Sequence, residues 1–330
     1  MLGVSAVLEG IGKAVPPRVV TNAELAQTLD TTDEWVRTRT GIAQRYVAER
    51  GSGTADLAVE AGANALKSAG GSDVDAVVLA TTTPDRIVPS TAPEVAARLG
   101  LGTIAAFDVN AVCAGFVYAL ATAAGLLATG VADRVLVIGA EVMTRITDPT
   151  DRGTAVLFGD GAGAVVLRRG DADEPGAIGP FDLGSDGDRA DLLAIPAGGS
   201  RRPVDATALA ERANYLFMDG KEVYRQAVTR MVASSRKVLD RAGWTIEDVD
   251  RLVGHQANAR ILSAVADRLG VPEDRRVSNV ARYGNTSAAS IPLALADAGL
   301  RPGERLLLTA FGAGMSWGST LMTWPEITAA

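Results

Sequence analysis

The feature that most constrains the fold is an alternation of apolar runs with helical patterns that occurs twice along the chain. In the first half, residues 75–80, 105–109 and 134–139 are apolar and predict strands. Helical patterns lie at residues 91–99 and in a segment that begins near Cys113. This order predicts a layered α/β fold with largely parallel strands.

Four landmarks recur about 170 residues later and indicate a duplicated unit. They are Val74-Asp75 with Val249-Asp250, Arg98-Leu99-Gly100 with Arg268-Leu269-Gly270, Asn110 with Asn279, and Leu136 with Leu306. Residues 170–179 and 185–203 are rich in Gly, Pro, Asp and Arg and predict surface loops between the copies. We therefore predict two halves, residues 1–170 and 171–330. A site is expected between them, at the carboxyl ends of the central strands.

Composition limits the setting in which such a fold works. The chain of 330 residues has 47% hydrophobic and 22% charged residues and one cysteine. A single cysteine excludes a disulfide framework and favours a reducing, cytoplasmic setting. The net charge of −7 argues against nucleic acid and anionic membranes as partners. The N-terminus lacks the basic region and apolar run of a signal peptide.

Two segments resemble functional motifs without having their chemistry. Residues 109–132 carry no charge and are long enough to cross a bilayer, but their Ala, Gly and Thr content favours a buried helix. Residues 158–163 are glycine-rich, but they lack the Lys-Ser/Thr of a phosphate loop and precede a strand-like run at 164–167. We predict a structural turn there. No clustered Cys, His and Asp set indicates a metal, and no cofactor is predicted.

The only cysteine, Cys113, stands where an apolar run ends and a helix is predicted to begin. A thiol at the first turn of a helix faces unpaired backbone N–H groups and the positive end of the helix dipole. Both favour the thiolate, so Cys113 is a candidate nucleophile. The alternative is a packing role, because free cysteine is among the most buried residue types.

The second half supplies two polar residues at the corresponding turns. His255 is the only histidine, and Asn285 precedes the small-residue helix predicted at residues 288–298. Alone, each has a simple explanation, because a lone histidine is often structural and Asn beside Gly is common in turns. Together with Cys113, however, each follows an apolar run and precedes a helix in matching halves. We predict that the three share one active-site face.

Four segments resemble the motifs of β-ketoacyl-acyl-carrier-protein synthase III, a thiolase-fold condensing enzyme. They are DVNAVCAGF at 108–116, HQAN at 255–258, YGNTS at 283–287 and FGAGMSWG at 311–318. The resemblance extends from Trp35 to Gly318, nearly the whole chain. It implies a five-layered αβαβα fold, a homodimer, and condensation of an acyl-CoA starter, as substrate, with malonyl-acyl-carrier protein.

The resemblance also implies a role for each candidate residue. Cys113 would take the acyl group as a thioester, with its oxygen held by the backbone N–H groups of Cys113 and Ala313; one such donor can contribute about 3 kcal/mol. His255 and Asn285 would donate hydrogen bonds to the enolate that forms when malonyl thioester loses CO₂. The thiolase proper uses a second cysteine to remove a carbon-bound proton. The single cysteine of this chain therefore favours decarboxylative condensation.

The same resemblance implies residues for substrate binding. They are Trp35, Arg39 and Arg152 for CoA, Lys221, Arg225 and Arg260 at the entrance, and Val88, Met143 and Phe311 for the acyl pocket, with Val88 supplied by the second subunit. Lys221 replaces a common asparagine, which leaves its contact open, and Ala313 replaces a glycine, which is tolerated unless that position needs positive φ. Val88 replaces a common phenylalanine. This predicts a starter longer or more branched than acetyl, unless the change is only a core substitution.

Two other functions remain open at this point. A relative of specialised metabolism could keep the Cys113 acyl-enzyme and pass the acyl group to an oxygen or nitrogen acceptor. A non-catalytic scaffold that binds a carrier protein is the second alternative. The presence of Cys113, His255 and Asn285 together argues against the scaffold.

Overall fold

The computed structural model describes residues 4–328. Its strands are β1 (Val4–Ala14), β2 (Arg18–Thr21), β3 (Gln44–Val47), β4 (Ala76–Ala80), β5 (Ala105–Val109), β6 (Arg134–Val142), β7 (Asp160–Asp171), β8 (Ala177–Ser185), β9 (Leu193–Ala194), β10 (Phe217–Met218), β11 (Arg251–Gly254), β12 (Arg305–Gly312) and β13 (Ser316–Thr323). Its α-helices are α1 (Asn22–Leu25), α2 (Asp33–Thr40), α3 (Thr54–Ser68), α4 (Ala92–Arg98), α5 (Gly115–Ala128), α6 (Arg152–Ala155), α7 (Ala206–Ala210), α8 (Gly220–Ala242), α9 (Ala259–Leu269), α10 (Val280–Tyr283) and α11 (Ser290–Asp297).

The strand order confirms the duplication. The main sheet of the described chain runs β11-β12-β13-β8-β1-β7-β6-β4-β5. In the first half, β4 is parallel to β5 and β6, while β7 is antiparallel to β6 and β1. In the second half, β11 is parallel to β12, while β13 is antiparallel to β12 and β8. A single parallel bridge between Leu252 and Arg276 stands where the first half has β5.

Two of the repeated landmarks occupy equivalent places in this topology. The Asp75 and Asp250 carboxylates each accept a hydrogen bond from the first backbone N–H of β6 or β12, respectively, at 3.0 and 2.8 Å. Gly100 and Gly270 follow α4 and α9 with φ of 70° and 84°. This left-handed conformation suits glycine at a helix end.

A third landmark pair is wrong by one residue. Leu136 of β6 lies opposite Val77 of β4, and Leu307 of β12 lies opposite Leu252 of β11. The counterpart of Leu136 is therefore Leu307 and not Leu306. Because both positions are leucine, the sequence alone does not reveal the shift.

The elements stack in the five layers that the resemblance implies, so the five-layered fold is confirmed. The expectation of largely parallel strands is wrong, because five of the eight neighbouring strand pairs in the main sheet are antiparallel. Helices α3 and α4 cover the outer face of the first-half strands, and α8, with α9 beside it, covers that of the second half. Helices α5 and α11 lie between the two sets of strands. The central core includes Phe116 and Leu120 of α5 and Ile291 of α11. In the described part of the chain, no helix has the length and apolarity needed to cross a membrane.

The loop predictions hold only in part. Residues 170–179 contain the turn between β7 and β8, as predicted. Residues 185–203, however, also contain a 3-10 helix, Gly187–Leu192, and the strand β9, which pairs with β10. The side chain of Leu193 is buried in a hydrophobic cluster of the second half and its neighbouring segments. The prediction of a turn at residues 158–163 is wrong, because residues 160–163 are already the first residues of β7 and Phe158 forms a parallel bridge with Asn285.

Candidate active site

Cys113, His255 and Asn285 line one cavity of about 500 Å³. Cys113 follows β5 of the first half, whereas His255 follows β11 and Asn285 follows α10 in the second. Six further residues predicted to bind substrate also line the cavity. They are Trp35, Arg39, Met143, Lys221, Arg260 and Phe311. The fold thus brings the only cysteine, the only histidine and Asn285 to one place.

The backbone around Cys113 forms a sharp turn, which we call the first elbow (residues 110–115). The side-chain oxygen of Asn110 accepts a hydrogen bond from the N–H of Val112 at 3.3 Å. Val112 has a φ of 48°, which is unfavourable for a β-branched residue. A 3-10 turn, Val112–Ala114, then precedes α5. Cys113 therefore lies in this turn and not in the first turn of the α-helix.

Residues 285–290 repeat this geometry, and we call them the second elbow. The Asn285 side-chain oxygen accepts from the N–H of Ser287 at 2.9 Å, and Ser287 has a φ of 49°. The 3-10 turn Ser287–Ala289 then precedes α11. The structural counterpart of Asn110 is therefore Asn285, and the pairing of Asn110 with Asn279 is wrong. Helix α10, which has no equivalent in the first half, causes the shift.

Gly312 brings the loop after β12 against Cys113. A Cβ added at Gly312 would lie 2.7 Å from the backbone N of Cys113 and 2.9 Å from its Cβ. Only glycine permits this approach. The next residue, Ala313, does not line the cavity, and its φ is not among the positive values of the described chain. The alanine therefore meets no left-handed backbone.

Burial dominates the pKa of the Cys113 thiol. Cys113 is buried, and loss of solvation raises its pKa to about 12, with a further increase from the nearby Glu141 carboxylate. A hydrogen bond with Ser287 acts in the opposite direction. Burial therefore opposes the thiolate that the position of Cys113 predicts. Desolvation outweighs the favourable position of the turn.

Glu141, near the end of β6, is a buried carboxylate behind the nucleophile. It accepts hydrogen bonds of 2.7–3.3 Å from several donors. These are the backbone N–H groups of Thr82 and Thr83 and the hydroxyls of Thr81, Thr83 and Ser287. Burial raises its pKa to about 7 despite these bonds. Glu141 thus connects the second elbow to the segment that follows β4.

His255 is neutral at physiological pH. Its burial lowers its pKa to about 3, because the charged form loses solvation. The backbone N–H donates to the carbonyl of Thr309 at 2.8 Å, and Nδ1 lies 2.6 Å from the Ser290 hydroxyl. Within the described chain, Nε2 has no protein partner, and it is the ring nitrogen that remains for a molecule in the cavity.

The two polar atoms of the Asn285 amide also differ in their partners, as the two ring nitrogens of His255 do. Its oxygen accepts from the Ser287 N–H, which fixes the orientation of the amide. Its Nδ2 makes no hydrogen bond to the described residues. Asn285 therefore offers an N–H donor to the cavity that His255 also lines.

Three predicted CoA-binding residues cluster at another part of the cavity. The guanidinium groups of Arg39 and Arg152 lie 5.5 and 4.8 Å from the ring centre of Trp35. Trp35 and Arg39 line the cavity, whereas Arg152 stands beside it and donates to the backbone oxygen of Asp30 at 2.9 Å. The arrangement presents an indole and two cations to solvent, which suits a planar anionic ligand.

The remaining predicted residues lie outside the cavity. Arg225 is exposed on α8 and forms an ion pair with Glu222. Val88 is 81% exposed and does not contribute to the cavity of its own chain. The prediction for Val88 concerns a second subunit, which a single chain does not contain.

Sequence reasoning missed several residues of the site. They are Glu141, Leu193, Ser287, Ser290 and Gly312. An acidic residue within the apolar run of β6 was a visible signal for Glu141, because charged residues are seldom buried without a role. The two serines stand in a run of small residues, where nothing in the sequence shows that they face polar partners.

The chain is similar to known proteins over nearly its whole length. Residues 107–187 match the family described as 3-oxoacyl-(acyl-carrier-protein) synthase III, and residues 239–324 match the C-terminal part of that family. A β-ketoacyl-acyl-carrier-protein synthase III of Streptomyces coelicolor is 59% identical over 331 residues, with 98% of each chain covered. The corresponding protein of Pseudomonas aeruginosa is 53% identical, also with 98% of each covered.

Solved structures agree. A crystal structure of 3-oxoacyl-(acyl carrier protein) synthase III from Pseudomonas aeruginosa superposes with a TM-score of 0.92 at 52% identity, covering 98% of this chain and 99% of that one. The priming β-ketosynthase of a polyketide biosynthetic pathway superposes with a TM-score of 0.88 at 38% identity, covering 97% and 96%.

Proposed function

Because the chain belongs to the β-ketoacyl-acyl-carrier-protein synthase III family, we propose that it joins an acyl-CoA starter to malonyl-acyl-carrier protein by decarboxylative Claisen condensation. This reaction makes the enzyme an acyltransferase. The observation that carries the proposal is that one cavity holds a thiol and two neutral side chains, His255 and Asn285, each with one nitrogen left for substrate.

In the first step, the sulfur of Cys113 attacks the thioester carbonyl of acyl-CoA. The new C–S bond forms as the bond to the CoA sulfur breaks, and the thiol proton ends on the departing CoA thiol. The close approach of Gly312 to Cys113 supports an oxyanion site made by the N–H groups of Cys113 and Ala313. Because the thiol has a high pKa, the rate of this step is expected to rise with pH.

In the second step, malonyl-carrier protein loses CO₂ and the resulting enolate attacks the Cys113 thioester. The N–H groups of His255 Nε2 and Asn285 Nδ2 stabilise the enolate oxygen. Carbon–carbon bond formation releases the Cys113 sulfur, which takes one proton from solvent. A neutral imidazole suits this role, because it donates a hydrogen bond without adding a charge that would hold the malonyl carboxylate in place.

The rest of the cavity suits the two substrates. The Trp35, Arg39 and Arg152 cluster supports binding of the adenine and phosphates of CoA, and Lys221 and Arg260 supply positive charge at the entrance for an acidic carrier. The buried side chains of Met143 and Phe311, with Leu193, form an apolar wall. Together with valine at position 88, this wall favours a starter longer or more branched than acetyl.

We propose that the enzyme is a homodimer. Strand β5 is at the edge of the sheet, and its backbone is open for a further partner. The neighbouring Ile87 and Val88 are 88% and 81% exposed, which is unusual for adjacent apolar residues. A second subunit would cover these features. It would also bring Val88 to the partner's acyl pocket.

Purified enzyme incubated with acyl-CoA and malonyl-carrier protein tests the proposal. We expect CO₂ release together with a 3-oxoacyl-carrier protein, and an acyl adduct on Cys113 by mass spectrometry when malonyl-carrier is omitted. An adduct without CO₂ or 3-oxo product would instead favour acyl transfer to an oxygen or nitrogen acceptor. No adduct with any acyl-CoA from two to ten carbons would leave only the non-catalytic scaffold.

The relatives named above are synthases and support condensation over both alternatives. They include a priming enzyme of a polyketide pathway, so the product is proposed to enter either fatty-acid initiation or polyketide priming. The starter that acylates Cys113 fastest in the acyl-CoA series would distinguish these uses by its length and branching.

A further inference from the structure

Ser290, the first residue of α11, is the only described side chain in hydrogen-bond contact with the imidazole of His255. Its hydroxyl lies 2.6 Å from Nδ1. The same oxygen accepts a hydrogen bond from the backbone N–H of Gln256 at 3.3 Å. Ser290 is 2% exposed, so this hydroxyl has little access to water.

These contacts decide which way the hydrogen bond runs. If Nδ1–H donated to Ser290, the hydroxyl would accept from both His255 and Gln256, and its own hydrogen would have no acceptor among the described residues. Leaving a buried donor unpaired is unfavourable. If Ser290 instead donates to Nδ1 and accepts from Gln256, every group is satisfied. Nδ1 then carries no proton, and the proton of the neutral ring is on Nε2.

Hydrogen bonds fix the turn that carries His255, so the position of its ring relative to Ser290 is set by the fold. The backbone N–H of His255 is fixed by Thr309, and the buried Gln256 side chain donates to the carbonyls of Gly254 and Val277 at 2.7 and 3.3 Å. The ring therefore has one position against Ser290, and only the protonation site remains to be set.

We propose that Ser290 is a positioning residue that keeps the proton of His255 on Nε2, so that the imidazole donates a hydrogen bond to the substrate oxygen during decarboxylation. The effect on decarboxylation rests on the proposed condensing function. The location of the proton on the His255 ring does not depend on that function. The second elbow therefore supplies a donor from Asn285 and sets a second donor through Ser290.

Nitrogen-15 NMR of histidine-labelled enzyme tests the ring state directly, because His255 is the only histidine in the sequence. In the wild type we expect a proton on Nε2 and none on Nδ1. Ser290→Ala is expected to give a mixture of the two neutral tautomers. A proton on Nδ1 in the wild type would overturn the proposal, as would an unchanged tautomer in Ser290→Ala.

Kinetics test the consequence. Ser290→Ala should lower the rate of condensation by the preformed acyl-enzyme about tenfold or more, while acylation of Cys113 changes less than about twofold. Ser290→Thr keeps the hydroxyl and should restore condensation. Ser235→Ala, which removes a fully buried hydroxyl on α8 outside the cavity, is the matched control and should affect neither step.

The outcomes separate the two proposals. Equal losses of acylation and condensation in Ser290→Ala would mean that Ser290 acts through packing alone. A wild type that shows Nε2–H but performs no condensation would refute the proposed function and leave the assignment of the proton intact. If Ser290→Ala fails to fold, the wild-type spectrum and Ser290→Thr still decide the matter.

Discussion

The two elbows have the same backbone and different chemistry. Each begins with an asparagine whose side chain accepts from the N–H two residues on, and each has a residue with φ near +50° at that position. The fourth position is Cys113 in the first elbow and Ala288 in the second. The first position is exposed Asn110 in one half and buried Asn285 in the other.

In the proposed mechanism, the two halves of this duplicated fold divide a two-step reaction between them. The duplication supplies two turns that hold small regions of backbone in an unfavourable conformation, at a cost of about 1–2 kcal/mol each. Which position of the turn carries a reactive side chain then decides its role. In the proposed mechanism, the first elbow uses its fourth position for a nucleophile, and the second uses its first position for a hydrogen-bond donor.

The largest predicted effect comes from making the fourth positions alike. Cys113→Ala gives the first elbow the residue that the second already has at Ala288. Acylation by acyl-CoA should be abolished, because no other thiol exists in the chain, as intact mass spectrometry would show. Slow decarboxylation of malonyl-carrier protein should persist because His255 and Asn285 remain. Complete loss of CO₂ release would contradict the division between elbows.

A smaller effect is predicted for substitution of Gly312, which packs against Cys113 of the first elbow. In Gly312→Ala, the added Cβ would meet the backbone of Cys113, so we expect a loss of about 1–3 kcal/mol in the free energy of unfolding and slower acylation. Denaturant unfolding and the acylation rate measure these effects. Gly199→Ala, where no atom lies within 4 Å of the added Cβ, should change neither. Equal behaviour of the two variants would show that the close approach is unimportant.

The smallest predicted effect is that of Glu141, whose carboxylate lies between the elbows, on the reactivity of Cys113. Glu141 raises the pKa of the Cys113 thiol, so Glu141→Gln should increase alkylation of Cys113 by iodoacetamide about threefold at pH 8. In the wild type, the rate should rise with pH through 9 without a plateau, because the thiolate fraction is still increasing. Glu304→Gln, at a buried carboxylate outside the cavity, is the control. Slower alkylation in Glu141→Gln would reverse the assigned electrostatic effect.

The succession of strands and helices and the duplication were predictable from the sequence because periodicity and landmarks are local signals, whereas the antiparallel pairs of the sheet join segments far apart in the chain. Apolar runs such as that of β4 and matched residues such as Asp75 and Asp250 survive duplication. No sequence signal marks the insertion of α10, so the constant spacing of the landmarks pairs Asn110 with Asn279. Only the hydrogen bonds of the two elbows show that Asn285 is its counterpart.

The presence of Cys113 and His255 in one cavity was predictable, but their electrostatics were not. A lone Cys113 and a lone His255 stand out by rarity in the sequence. The pKa of each depends on burial, which reflects packing between elements far apart in the chain. The position at the turn, which the sequence indicates, favours a lower pKa for Cys113, whereas burial raises it. The contact between His255 and Ser290 likewise joins two segments that only the folded chain brings together.

The division of the two steps between the elbows is tested most directly by a single-turnover measurement on Asn285 variants. Wild type, Asn285→Ala and Asn285→Asp are acylated with acyl-CoA, malonyl-carrier protein is added, and CO₂ is counted per acyl-enzyme. Asn285→Asp keeps the oxygen that accepts from Ser287 but has no amide N–H. We predict that all three acylate and that only the wild type releases CO₂ at an appreciable rate. Release of CO₂ by Asn285→Asp at the wild-type rate, or failure of Asn285→Ala to acylate, would contradict it.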